Sequence, residues 1–429
     1  MKLQVTFIKL VFRAMCRDVF LPLLLVVAAA CAVDAEADGP APSPGPADNT
    51  PVSTRDPVDV PIDEVTKEEE AIFIEGDALF GLPLREADGL GPLFTRSSCG
   101  ACHAEGGRGP GLVQKMSVVQ ADGSPAADQS RLPFGHTVHP LVAGGGKTPV
   151  IAPMSDPTVK VSTRVGPPVL GRGYMEAIAD DEIERVAAEQ ASRTDGIRGR
   201  VNHVVYASEK NPDTSVHGHA PGDMVIGRFG MKARIGYLDD FTADALQGDM
   251  GITSPLRPNE IPNPDGLTDD AKPGVDVTIE SVNKRAQYIR LIAIPRRVKD
   301  EHGRALFEQA LCSVCHTPSM KTRTDFPIKV LAGVSAPIYS DLLLHDMGDD
   351  LADGTAGIDG QATSREWRTA PLIGLRFLKN YLHDSRAHSI DEAIRMHAGP
   401  GSQATPSLAV YNALSDADRQ ALVDFVGGL

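Results

Sequence analysis

Apolar residues along this chain fall into short stripes at helical spacing, separated by stretches rich in glycine, proline and aspartate. That pattern predicts a helical protein with long irregular connections. Thr66-Lys67-Glu68-Glu69 has the form of a capping box, in which the first and last side chains satisfy free amides at a helix start. The helix it opens carries Ile72, Ile74, Ala78, Leu79 and Phe80. Another helix is expected over residues 180–192, with Ile183, Val186 and Ala187 on one face. Ser389-Ile390-Asp391-Glu392 starts a third. At about 100° per residue, Ile390, Ala393, Ile394 and His397 share one stripe of it, while Met396 points away. Ser415-Asp416-Ala417-Asp418 starts the last, aligning Leu422, Val426 and Leu429. Residues 201–206 read as a short strand, followed by a loop holding His217 and His219.

The stripes contain a repeat. Gly76-Asp77-Ala78-Leu79-Phe80 is echoed by Gly303-Arg304-Ala305-Leu306-Phe307, and each copy precedes a C-x-x-C-H string: Cys99-Gly100-Ala101-Cys102-His103 and Cys312-Ser313-Val314-Cys315-His316. C-x-x-C-H is the attachment pattern of a c-type haem, with two thiols bonded to the porphyrin edge and the next residue's imidazole on the iron. A bare C-x-x-C also suits dithiol or zinc chemistry. Two full matches, each with a histidine that disulfide chemistry does not need, weigh toward haem, with those alternatives left open. A glycine and an apolar pair ahead of the motif are similar to the first helix of the cytochrome c fold. The expected fold is therefore mainly α, with two cytochrome c-like domains, each holding one covalent haem, and long loop insertions. Domain limits of 63–277 and 278–429 follow if the proline-rich stretch 253–277 is the connection.

Composition adds export and charge. Basic residues up to Arg17, an apolar run over residues 19–30 and Ala28-Ala29-Ala30-Cys31 fit a signal peptide over residues 1–30. The ending resembles a lipobox, so lipidation of Cys31 and simple cleavage nearby are both open, and Cys31 is the one expected membrane link. Residues 31–62, rich in Pro, Ala, Asp and Ser, read as a disordered tether. A periplasmic location matches covalent haem. Against 42 basic side chains stand 57 acidic ones, a formal charge of −15, which repels nucleic acid and suits a basic electron-transfer partner.

Later motifs narrow the field: Pro337-Ile338-Tyr339-Ser340-Asp341-Leu342-Leu343-Leu344-His345-Asp346-Met347-Gly348, Glu366-Trp367-Arg368-Thr369-Ala370-Pro371-Leu372, Tyr381-Leu382-His383-Asp384 and Asp391-Glu392-Ala393-Ile394-Arg395-Met396-His397. With Gly227-Arg228-Phe229-Gly230 and Asp249-Met250-Gly251-Ile252-Thr253, they make the chain resemble the dihaem oxidoreductases, also called thiol oxidoreductases. These are similar to the dihaem cytochrome c peroxidases and the methylamine-utilisation dihaem enzyme.

The resemblance implies an oxidoreductase in which a small cytochrome or cupredoxin feeds electrons to the C-terminal haem, and hydrogen peroxide or another oxidant is reduced at the N-terminal one. An electron carrier without a substrate and an oxidase of a partner protein are the alternatives. His397 stands where the peroxidases have a Met and the methylamine enzyme a Tyr, so His316 and His397 are the expected axial pair of the second haem. No histidine lies in the interval shortly before Arg164-Val165-Gly166-Pro167, where the peroxidases keep a distal one, so the iron at His103 is expected to be open. His136, His139 and Met154 are the nearest other donors. Asp249 takes the place of the relatives' catalytic acid, whereas their glutamine falls near Phe241 and their inter-haem tryptophan at Phe229. Two carbonyls spaced like Thr369 and Pro371 hold calcium in relatives, although their Asn reads Val165 here. Arg108 is a candidate partner for a haem carboxylate, and His345 and His383 are expected to support the second site.

Overall fold

In the computed structural model, which describes residues 59–104, 112–268 and 272–429, Thr66 starts the first helix. Its hydroxyl accepts from the Glu69 amide at 3.1 Å, and the Glu69 carboxylate accepts from the Thr66 amide at 2.8 Å. The helices are α1 (Lys67–Gly81), α2 (Arg172–Ala177), α3 (Asp180–Ala191), α4 (Leu238–Met250), α5 (Ile279–Leu291), α6 (Glu301–Gln309), α7 (Cys312–Cys315), α8 (Ile390–Arg395), α9 (Thr405–Ala413) and α10 (Asp416–Gly428). The short strands are β1 (Leu93–Phe94), β2 (Leu112–Val118), β3 (Leu141–Val142), β4 (Val159–Val165), β5 (His203–Val205), β6 (Met224–Ile226), β7 (Met320–Lys321), β8 (Ser335–Ala336), β9 (Leu344–Asp346) and β10 (Glu366–Arg368). They pair antiparallel as β1–β3, β2–β4, β5–β6, β7–β8 and β9–β10. Helices dominate, and the sheets are ribbons between them.

The repeat does the same work twice. On α1 the buried residues are Phe73, Gly76 and Phe80, while Ile74 and Ala78 are exposed. Gly76 decides this face: a Cβ there would lie 2.5 Å from the Lys284 carbonyl oxygen and 2.6 Å from Tyr288 Cβ on α5. Only glycine lets the two backbones cross so closely. On α6, a Cβ on Gly303 would lie 2.4 Å from Phe425 Cβ on α10. Leu422, Val426 and Leu429 are buried beside Phe307 there.

The expected boundary at 277/278 would separate α5 from α1, the helix it packs on. Stretch 253–277 is a closed excursion: the Thr253 amide and hydroxyl both donate to Asp276 Oδ2, at 2.7 and 2.6 Å. The core around α1, α2 and α5 also takes in Met320, Ile328 and Leu343, from beyond the second motif. Glu176 on α2 accepts from the Leu238 amide at the start of α4 (2.7 Å) and from Arg290 Nε on α5 (2.5 Å). Removing one partner of such a buried pair costs about 3–5 kcal/mol. The β2–β4 ribbon ends at Val165, and Arg164 on it is anchored to Asp353 and Asp359, each at 2.8 Å. All described residues belong to one compact unit.

Candidate functional site

Each C-x-x-C-H string forms one helical turn: the His103 amide donates to the Cys99 carbonyl and the His316 amide to the Cys312 carbonyl, both at 2.9 Å. The turn brings both thiols and the imidazole to one cavity. His103 Nδ1 donates to the Pro167 carbonyl (2.8 Å), and His316 Nδ1 to the Tyr339 carbonyl (3.1 Å). A ring held this way presents Nε2 as a lone-pair donor. Burial pushes both imidazoles down to about 4, so they are neutral at pH 7, as a metal ligand must be. The repeat's phenylalanines flank them, Phe80 with its ring centre 6.1 Å from His103 and Phe307 6.5 Å from His316. Neither carbonyl was anticipated from sequence, although both lie in proline-bearing segments downstream of the motifs.

The second cavity, about 280 Å³, is bordered by Cys312, Cys315 and His316 and by the Ile390, Ala393, Ile394 and His397 stripe. Ser389 Oγ caps α8 by accepting from the Glu392 amide at 3.1 Å, and His397 stands just past its end. The His316 and His397 ring centres are 6.4 Å apart. Two imidazoles on opposite sides of one metal ion, with bonds of about 2.0–2.1 Å, put ring centres roughly 6 Å apart. His397 Nδ1 donates to the Ala393 carbonyl at 2.6 Å, leaving its Nε2 for a metal. Leu311 and Tyr339, on either side of this motif, hold left-handed backbones (φ 59° and 49°), a local strain that marks constrained sites. His345 Nε2 donates to Asp341 (2.8 Å) and its Nδ1 lies 3.6 Å from Cys315 Sγ. His383 stacks on Trp367 with ring centres 3.9 Å apart. Lys232 Nζ lies 4.0 Å from the Trp367 ring centre. Apolar walls, two thiols and two facing neutral imidazoles fit a covalently held haem with two histidine ligands.

The first cavity, about 80 Å³, is bordered by Cys99, Cys102 and His103. The same cavity is bordered by Phe229, Phe241 and three residues at helical spacing on α4, Thr242, Ala245 and Asp249. Thr242 Oγ1 and Arg285 Nε, both at this cavity, are buried without a hydrogen-bond partner. Each such group costs about 1–3 kcal/mol, which fits a cavity built around a polar-edged group. Burial pushes the Asp249 carboxyl up, against the pull of Lys115. No histidine besides His103 borders this cavity among the described residues. Met154 is 85% exposed, His139 Nε2 donates to the Gly248 carbonyl (2.7 Å), and His136 Nδ1 to the Met116 carbonyl (3.1 Å). Met175 and Met250, which do border it, were missed because nothing in their spacing sets them apart from core methionines. Arg108 lies outside the described residues.

Pro167, Pro168, Arg172 and Arg368 border both cavities and form the wall between them. Burial, with repulsion from Arg368, brings Arg172 down to about 9, and burial brings Arg368 down to about 10. The calcium expectation meets an obstacle here. The Thr369 carbonyl accepts from Ser340 Oγ at 2.7 Å and from Arg368 Nη1 at 2.8 Å, so both its lone pairs are taken and a cation already stands beside it. The residues present do not fit calcium at Thr369 and Pro371.

None of the four described cysteines is in a disulfide, and burial pushes Cys99 up to about 11 and Cys312 up to about 12. Thiols so reluctant to ionise are poor exchange nucleophiles. A family model described as "Di-haem oxidoreductase, putative peroxidase" matches residues 147–429. No curated protein matches the chain. Among solved structures it is similar to hydrazine synthase of Kuenenia stuttgartiensis pressurised with 20 bar xenon. The identity is 15%, over 86% of this chain and 89% of that one, with a TM-score of 0.36, too distant a likeness to support an argument.

Proposed function

The chain belongs to the di-haem oxidoreductase family, and from that premise we propose that it is an exported c-type enzyme of the peroxidase class. Cys99 and Cys102 would hold one haem by thioethers with His103 as axial ligand, and Cys312 and Cys315 the other with His316 and His397. Each repeat helix with its crossing partner, α1 with α5 and α6 with α10, would form a cytochrome c-like unit, the two fused through a shared core. Electrons from a small cytochrome or cupredoxin enter at the His316/His397 site, and peroxide or another oxidant is reduced at the His103 site.

The observation that carries this reading is the asymmetry of the cavities: a second histidine has its ring centre 6.4 Å from that of His316, whereas the His103 cavity is bordered by Asp249, Thr242, Phe229 and Phe241 and by no second histidine among the described residues. Haem supplies a redox-active iron at which a peroxide O–O bond can be cleaved with two electrons and two protons. Asp249, with its carboxyl pushed toward the protonated form by burial, moves a proton between the two oxygens. The Thr242 hydroxyl, buried at the same cavity without a partner, would be free to hydrogen-bond an oxidant there. Phe229 and Phe241 keep bulk water from the reacting atoms. The rival, an electron carrier with both irons six-coordinate, would use Met175 or Met250. Met175 Sδ already accepts from Arg172 at 2.8 Å.

Export rests on residues 1–30 and Cys31, outside the described residues. No helix among the described ones is long and apolar enough to cross a membrane. The test is electron paramagnetic resonance of haem-loaded protein, oxidised and half-reduced, with and without peroxide. A high-spin ferric signal that peroxide removes is expected. Two low-spin signals indifferent to peroxide would leave an electron carrier.

A further inference from the structure

Arg172 and Arg368 are each at least nine-tenths buried, 7% and 6% exposed, and no described carboxylate forms an ion pair with either. Two other buried guanidinium groups do have such partners, Arg164 with Asp353 and Asp359 and Arg290 with Glu176, whereas buried Arg285, which also borders the first cavity, has none among the described carboxylates. Arg172 gives one hydrogen bond to the Pro168 carbonyl and one to Met175 Sδ. Arg368 gives one to the Gly230 carbonyl (2.9 Å) and one to the Thr369 carbonyl. A guanidinium carries five N–H donors, so most of the donors on both side chains have no protein acceptor. Asp341, which acts on Arg368 from farther off, is engaged by His345 and Gln190, each at 2.8 Å.

Two buried like charges that repel each other, on a wall common to two cavities, require anions from those cavities. Haem brings such anions as its two propionate carboxylates, and a planar guanidinium fork matches a carboxylate in bidentate fashion. We propose that Arg172 and Arg368 form a fixed cationic bridge between the two haem sites, binding propionates from both haems where the resemblance would place calcium. Calcium is excluded at Thr369 by the same geometry, because Arg368 occupies the carbonyl the ion would need. The bridge holds the two cofactors in one mutual arrangement. It also places one positive charge field on both irons, raising both potentials together.

The proposal rests on the two-haem reading but not on peroxidase activity. Haem content, assayed first, separates the two: fewer than two haems per chain in the wild type overturns the cofactor reading itself. With two haems present, the midpoint potentials of each are measured by spectroelectrochemistry in the wild type and in Arg172→Gln, Arg172→Lys, Arg368→Gln and Arg368→Lys. Each Gln variant is expected to shift both potentials downward, since removing a cation favours the ferric state, and each Lys variant to restore most of the shift. A shift at one haem only, no shift, or equal shifts for Lys and Gln would overturn the bridge. A parallel arm needs no variant. Potentials of the wild type should be unchanged by EGTA or by added calcium, and a shift in either would put a metal ion, not the arginines, between the haems.

Discussion

The two cavities share a plan on the side of the C-x-x-C-H turn and diverge on the other. Both have a glycine crossing, a phenylalanine beside the histidine and a backbone carbonyl on its Nδ1. Opposite, one has an imidazole delivered by α8, and the other a carboxyl and a hydroxyl delivered by α4. On the proposed reading, what would make one an electron-entry site and the other a reaction site is the element laid across it. The difference teaches that a repeated unit can keep its floor while the residues offered by its lid change.

The largest expected effect comes from making the second cavity like the first. In His397→Ala, the low-spin signal of one haem should vanish completely and be replaced by a second high-spin signal, read by the same resonance experiment. If the spectrum is unchanged, His397 does not face iron and the comparison fails. Next in size, Asp249→Asn should slow the reaction with peroxide by about 10²- to 10⁴-fold in stopped-flow absorbance, leaving the low-spin haem unaltered. An equal loss in Asp249→Glu would point to a structural role, since glutamate keeps the acid.

The shared floor can be tested by stability. Gly76→Ala and Gly303→Ala should each cost about 1–3 kcal/mol in denaturant unfolding of the holoprotein. The two costs should be similar, because the nearest obstacles, the Lys284 carbonyl oxygen at 2.5 Å and Phe425 Cβ at 2.4 Å, are both fixed to a helix backbone and cannot rotate away. Negligible costs would mean that the crossings are looser than the packing implies.

The smallest effect separates the lids by pH. Burial alone would raise Asp239 at the start of α4, yet the hydrogen bond from His217 Nε2 (2.9 Å) and the other partners outweigh it and hold the carboxyl down to about 2. A depressed carboxyl contributes stability above its unfolded value of about 3.9, which is lost as pH falls toward 2. Acid titration in that window should therefore disturb the high-spin site on α4 before the low-spin pair. Asp239→Asn should flatten that limb, as followed by resonance and far-ultraviolet circular dichroism. Simultaneous loss of both signals would show the two lids to be equally coupled to this ion pair.

Some of this was legible from residues alone because it is local. Capping at Thr66, Ser389 and Ser415 involves side chains three positions from the amides they meet. The C-x-x-C-H turn closes through one hydrogen bond over four residues, and the stripe that carries His397 into the second cavity is a matter of helical period. The repeat was visible as text, although its meaning, a glycine at each helix crossing, needed α5 and α10 in place. The division at 277/278 was not legible in the same way, because prolines and aspartates suit a closed excursion pinned by Thr253 and Asp276 as well as they suit a linker.

What only the tertiary structure decided is held by residues far apart in the chain. Pro167 meets His103 and Tyr339 meets His316. Arg172 and Arg368 share one wall, and Arg368 takes the carbonyl that the family resemblance had offered to calcium. The physical reason is range: hydrogen-bonded turns and helical periods are set within a few residues of sequence. The sign of charge on a buried wall, and the side chain that faces a given imidazole, depend on how distant segments pack.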